Sequence, residues 1–212
     1  METQADRATL LYLASESPRR QELMQQLNLQ FEVVKAPIEE VVLPEETPQA
    51  YVKRIAQEKA QAGFAKLPPQ FSEAPIWVVG GDTAVVLEGQ VFGKPANDVE
   101  AKKMLSMLSG QTHQVLSSLA VLCNDNVYSA ISTTQVTFKN LTKAEIDEYW
   151  LTGEPEGKAG GYAIQGLGAK FIESIDGSYS GVMGLPLYEL NQLLIESGYV
   201  AETHRQKELE GL

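Results

Sequence analysis

Two short stretches carry residue types that suit phosphate chemistry. In "ASESPRR", residues 14–20, Ser15 and Ser17 precede a helix start, and Arg19 and Arg20 fall in its first turn. A helix N-terminus exposes unpaired N–H groups and a partial positive charge. Two arginines there raise a potential that a bound anion would relieve. The same arginines can instead lie over the surface and pair with Glu16 or Glu22. In "GGDTAVVLEGQVFGKP", residues 80–95, Asp82 follows an apolar run and Lys94 lies beyond a turn. If the runs flanking "EGQ" pair as strands, Lys94 returns near Asp82. A carboxylate beside cations suits a metal–phosphate site, although an Asp after Gly-Gly also serves as a plain turn residue.

The elements that must position these groups follow from periodicity and punctuation. "LLYLA", residues 10–14, reads as a buried first strand, and Ser17 with Pro18 starts a helix that turns Leu23, Met24 and Leu27 inward and stops near Asn28. "FEVV" suggests a second strand, followed by the acid-rich loop "APIEEVVLPEETP". Thr47 with Pro48 opens the next helix, in which Val52, Ile55, Ala56, Ala62 and Gly63 share one face with Lys59. That lysine either snorkels at the core edge or points into a cleft. "IWVVGGDTAVVL" reads as a strand, a Gly-Gly-Asp break and a second strand. Asn97 and Glu100 form a capping pair for the helix carrying Met104 and Leu105. Two long runs joined by "NDN" predict a hairpin, and Thr142 with Glu145 caps a helix ending at "DEYW". The glycine-rich "GEPEGKAGGYAIQGLGAK", a strand "KFIESI", a tight "DGSY" and a last helix close the chain, with a polar tail from about residue 201. A hairpin among mixed elements argues against a purely parallel sheet. The expected fold is α/β, with a mixed central sheet and flanking helices in one domain over residues 1–212.

Composition bounds the function. The 212 residues carry 28 acidic and 17 basic side chains, a net charge of -11. That field repels nucleic acid at long range, while a few convergent cations can still hold a small phosphorylated ligand at short range. The lone Cys123 allows no intrachain disulfide, and with His113 and His204 it cannot build a Cys- or His-rich metal site. No apolar run is long enough to span a membrane. Together these predict a cytoplasmic chain with neither nucleic acid nor membrane as partner.

The motifs also resemble a known family. "LASESPRRQELM", "YVKRIAQEKA", "VGGDTAVVLEGQVFGKP", "MLSGQTHQV", "TTQVTF" and "GEPEGKAGGYAIQGLGAKFIESIDGSYSGVMGLPL" span almost the whole chain. In order and spacing they resemble the Maf nucleoside triphosphate pyrophosphatases. Within that family they look most like the subgroup acting on dTTP and UTP, and less like the one acting on 7-methyl-GTP. The resemblance implies two lobes around a cleft, a fold like that of inosine-triphosphate pyrophosphatases, and often a homodimer. It implies cleavage of a nucleoside triphosphate to monophosphate and pyrophosphate with a divalent cation, Mg²⁺ or Mn²⁺. Carried over to this sequence, the general base or metal-side carboxylate is Asp82. The motif serines and arginines are Ser15, Ser17, Arg19 and Arg20, and the cleft lysines are Lys59 and Lys94. Base choice falls on Arg19, Thr83 and Gln165, and a further metal-side carboxylate on Glu39 or Glu40. Lys158 is a lesser phosphate or loop ligand. Gly81 replaces a commoner alanine before Asp82, which would loosen an Asp82 loop. Gly161 and Ala163 likewise stand where alanine and glycine are common.

Four side chains have either a chemical or a structural reading. Gln165 carries a donor and an acceptor that complement the O4 and N3–H of uracil or thymine. An amide can flip, so a second fixed polar group, such as Thr83 or a backbone group, is needed to exclude cytosine. Alternatively Gln165 holds only its own loop. His113, at a strand start, reads as structural, and Tyr149 with Trp150 as packing residues rather than a stacking platform. The competing functions are a nucleotide-binding regulator of septum formation without rapid turnover, and a purine-type triphosphate house-cleaning enzyme.

Overall fold

A computed structural model describes residues 10–68 and 75–199. The polar tail with His204 and most of the "AKLPPQFSEAP" loop lie outside the described residues. Its strands are β1 (Leu10–Leu13), β2 (Glu32–Val33), β3 (Ile76–Leu87), β4 (Gln90–Phe92), β5 (Thr112–Cys123), β6 (Asn126–Phe138) and β7 (Ile172–Asp176). They form one sheet in the order β2-β1-β3-β5-β6-β7, with β4 also paired to β3. β1 runs parallel to β2 and β3, and the other pairings are antiparallel. The sheet is therefore mixed, as the hairpin between β5 and β6 requires.

One edge of β3 is only partly covered. β1 borders β3 from Ile76 to Val79, and β4 borders it from Val85 to Leu87, both on the edge opposite β5. Between them, Gly80–Ala84 has no strand neighbour on that edge among the described residues. The "GGD" stretch is not a break. β3 runs straight through it, and Gly81 and Asp82 stay in register with Leu119 and Ser118 of β5.

Alternation along the strands sorts the core into layers. Tyr12, Ala14 and Val78 turn to one face, against Ala56 and Ala60 of α2 (Pro48–Ala65). Leu11, Leu13, Trp77 and Val79 turn to the other, against Leu23 and Met24 of α1 (Pro18–Gln26) and Leu190, Leu193 and Leu194 of α6 (Leu187–Glu196). Further along that second face, Val85 and Val115 pack with Met104, Leu105 and Leu108 of α3 (Asp98–Leu108) and with Ile146 and Tyr149 of α4 (Lys143–Leu151). Each fully buried leucine contributes about 1.5–3 kcal/mol relative to an exposed one.

Three helix starts carry the side-chain caps expected of them. Thr47 accepts from the Ala50 amide, Asn97 from the Glu100 amide, and Thr142 and Glu145 form a reciprocal capping box. Glu100 itself accepts from the Ala96 amide instead of the Asn97 amide. Ser17 occupies the same position ahead of Pro18, yet its side chain makes no capping bond. A short helix not expected from the sequence, α5 (Tyr179–Met183), follows β7. Cys123 is buried at the end of β5, as its apolar setting predicts.

Candidate active site

The cleft opens where β3 lacks a neighbour, and is lined by the start of α1 and by β4, by Tyr51 and Lys59 of α2, by the end of α5 and by the loop from Glu156 to Gln165. Its volume is about 950 Å³. Asp82 and Thr83 are consecutive on β3, so their side chains leave opposite faces. Asp82 faces α2 and is buried. Its Oδ1 accepts from Lys59 Nζ at 2.8 Å. Lys59 also reaches Glu40 Oε1 at 2.9 Å, and Lys94 Nζ lies 3.5 Å from Glu40 Oε2. Lys59 therefore points into the cleft and does not snorkel. The close approach of α2 depends on Gly80: a Cβ there would sit 2.2 Å from the Ala56 carbonyl oxygen. Burial opposes ionisation of Glu40, but Lys59, Lys94 and Arg20 outweigh it and hold the carboxyl below its usual range.

The arginines are held from the other side. Arg19 Nε donates to the Met183 carbonyl at 3.3 Å and Arg20 Nε to the Gly184 carbonyl at 2.8 Å. These carbonyls end α5, where partial negative charge collects. Among the described residues the arginines form no ion pair with Glu16 or Glu22, although Glu22 still acts on Arg19 through its charge, and Glu16 pairs with Lys35 at 2.6 Å. Arg20 also donates to Ser15 Oγ at 3.2 Å and Thr83 Oγ1 at 3.4 Å. Ser117 Oγ donates to the Gly181 carbonyl, so in its 2.9 Å contact with Thr83 Oγ1 it is the acceptor. Thr83 is thus a fixed hydroxyl in a chain from Arg20 to α5.

The cations gather at a mutual cost. Burial and then Arg20 lower the Arg19 pKa, while burial and then Arg19 lower that of Lys158. Five basic and four acidic side chains line the cleft, a reversed balance in a chain of net charge -11. An anion set among Arg19, Arg20 and Lys158 would relieve their repulsion. Ser15 and the uncapped Ser17 line the same wall.

Of the residues singled out in the sequence, Ser15, Ser17, Arg19, Arg20, Glu40 and Lys59 meet in this cleft with Asp82, Thr83, Lys94, Lys158 and Gln165. Glu39 does not: it lies outside the lining, whereas Glu40 lines the cleft and reaches Lys59, so Glu40 is the inward member of the pair. Gln165 is exposed in the cleft, and its amide makes no hydrogen bond among the described residues. It is not what holds its loop. His113 is buried in β5, bonded through Nε2 to Tyr162 Oη at 2.9 Å, and stays out of the lining. Tyr149 is fully buried.

The family model described as "Maf-like protein" matches residues 10–197, which takes in the cleft and both of its walls. The chain belongs to the Maf family. It is 50% identical over 192 residues to a dTTP/UTP pyrophosphatase of Hydrogenovibrio crunogenus, covering 91% of this chain and 98% of that protein. It is 51% identical over 186 residues to one of Vibrio vulnificus, covering 88% and 97%. Against one of Yersinia pestis the identity is 49% over 194 residues, covering 92% and 95%.

Within this Maf fold, sequence reading missed the residues that orient the cleft's charges. The carbonyls of Met183 and Gly184 carry no side-chain signal. Glu154 and Tyr149, which brace the loop bearing Gln165, lie 13 and 14 residues from their partners Leu167 and Ala163, too far for a local motif. The one hint was the paired glycines of "QGLG", which leave room for something close.

Proposed function

We propose that this protein is a nucleoside triphosphate pyrophosphatase that hydrolyses dTTP and UTP to the monophosphate and pyrophosphate. The carrying observation is a buried carboxylate, Asp82, within one cleft with Lys59, Lys94, Arg19 and Arg20. The names of relatives about half identical over most of their length support the same substrates.

A divalent cation, Mg²⁺ or Mn²⁺, fits the donor set. Glu40 and Asp82 both contact Lys59, which brings two carboxylates to one point of the cleft. Such ions are commonly held by one or two carboxylates together with substrate phosphates. Among the described residues no group of three His, Cys, Asp or Glu is available to hold a metal. When bound, the ion supplies charge neutralisation to the triphosphate. The chain's own residues do the rest. Arg19, Arg20, Lys94 and Lys158 receive phosphate oxygens whose charge grows during transfer. Lys59 fixes one Asp82 oxygen and leaves the other for water or the ion. Gln165 reads the base edge, with Thr83 among the fixed polar groups of the same cleft. A cytoplasmic homodimer belongs to the same reading, supported by the family resemblance alone.

The test offers the purified protein a panel of nucleoside triphosphates with Mg²⁺ or Mn²⁺ and measures monophosphate and pyrophosphate. Fast, metal-dependent cleavage of dTTP and UTP is expected. Binding without turnover would favour a regulator, and a purine preference would favour the house-cleaning alternative. Isotope-labelled water identifies the attacked phosphorus: label in the monophosphate, from α attack, is the expected result.

A further inference from the structure

The loop from Lys158 to Gly168 brings Lys158 and Gln165 into the cleft, and it is held from behind by two side chains outside the lining. Glu154 Oε2 accepts from the Leu167 amide at 2.9 Å, and Oε1 accepts from the Gly168 amide at 2.9 Å. Tyr149 Oη donates to Glu154 Oε1 at 2.6 Å and accepts from the Ala163 amide at 3.2 Å. The backbone is thus pinned two residues before Gln165 and again two and three residues after it.

The glycines of this loop belong to the same device. A Cβ at Gly166 would lie 2.2 Å from Glu154 Oε2, and a Cβ at Gly168 would lie 2.7 Å from Tyr149 Oη. The backbone has given up its side chains where the carboxylate and the hydroxyl press against it. Burial opposes ionisation of Glu154. Tyr149, the Gly168 and Leu167 amides and Lys158 outweigh it, so its pKa is lowered.

We infer that Glu154, backed by Tyr149, is a positioning residue for base selection: it fixes the loop so that the unpartnered Gln165 amide is presented to the pyrimidine edge. This rests on the dTTP/UTP reading above. Gln165 has no bond of its own to hold it, so the accuracy of its placement comes from the backbone on either side. A site that discriminates by hydrogen bonding depends on that accuracy, since a loosened group can bond either base.

Glu154→Gln keeps the shape but replaces one of the two accepting oxygens by an NH2 group, so one of the two amides it held, Leu167 or Gly168, faces a donor. Hydrogen exchange at Leu167 or Gly168, whichever amide loses its acceptor, should then rise about tenfold or more, with exchange in β5 unchanged. The UTP:CTP ratio of kcat/KM should fall about tenfold, mostly through a raised KM for UTP. Gly166→Ala, which leaves Glu154 intact but displaces its carboxylate, should do the same, and Glu154→Asp should fall between. Unchanged exchange in Glu154→Gln, or equal losses for UTP and CTP with the ratio preserved, would overturn the inference. A wild-type enzyme without any preference for UTP would instead defeat the function proposed above. The exchange measurement reads the brace without substrate and keeps the two failures apart.

Discussion

Lys59 Nζ stands 2.8 Å from Asp82 Oδ1, the first reaching from α2 and the second from the middle of β3. The pair is buried, and Glu40 closes it from the loop side. Removing either partner has unequal consequences. Lys59→Met leaves two facing carboxylates without their shared cation and should cost about 3 kcal/mol. Asp82→Asn leaves Lys59 with Glu40 and an amide oxygen, so it should cost about 1 kcal/mol. Denaturant unfolding of both variants measures the difference, and equal losses would mean that the pair is not coupled as described.

Glu39 and Glu40 are neighbours in sequence with opposite exposure to the cleft. Glu40→Gln should lower kcat/KM for UTP by about tenfold or more. Glu39→Gln should stay within about twofold, as exposed substitutions usually do. Steady-state kinetics at fixed Mg²⁺ decides it, and a larger loss at Glu39 would reverse the assignment.

Gly80 and Gly81 make the sheet's demands visible. A Cβ at Gly80 would sit 2.6 Å from the Ala60 amide nitrogen, but one at Gly81 meets its nearest atoms at 3.4–3.5 Å. Gly80→Ala should therefore destabilise by about 2 kcal/mol or more and lift α2, with Lys59, off Asp82. Gly81→Ala should be neutral or stabilising by about 0.5 kcal/mol, because it stiffens the unfolded chain. Thermal unfolding with activity measured alongside separates them.

These two glycines also show where sequence reading went astray. "GGD" carries a turn composition, so Asp82 was expected on a loop that Gly81 loosens, but β5 holds it in register throughout. Helix starts, the β5–β6 hairpin and the mixed sheet were legible because Pro, Thr, Asn and alternating apolar residues act locally. Lys59 was ambiguous because helical spacing places a side chain on a face without saying what lies opposite. The gap in the β3 edge was not legible, since it depends on where two other strands stop. Nor was α5, a helix of five residues behind "DGS", and with it the partners of both arginines were missed.

His113 should remain neutral across the working range. Burial pushes its pKa down from 6.5 to about 4. Between those values the unfolded chain binds a proton that the folded chain refuses, so stability falls as pH drops from 6.5 toward 4. The loss reaches about 3 kcal/mol at the bottom of that window and vanishes above it. Imidazole chemical shifts in an NMR titration should show no midpoint for His113 above pH 5. A midpoint near 6.5 would contradict its enclosure by Phe138 and Tyr162.

The most direct measurement is turnover of UTP with Mg²⁺ by the wild-type chain and by Asp82→Ala, with pyrophosphate release as the readout and thermal unfolding as the control for folding. The wild type should release pyrophosphate steadily, and the variant should lose about 100-fold or more while remaining folded. A folded Asp82→Ala protein that turns over UTP at a near-wild-type rate would contradict the placing of this carboxylate at the centre of the chemistry.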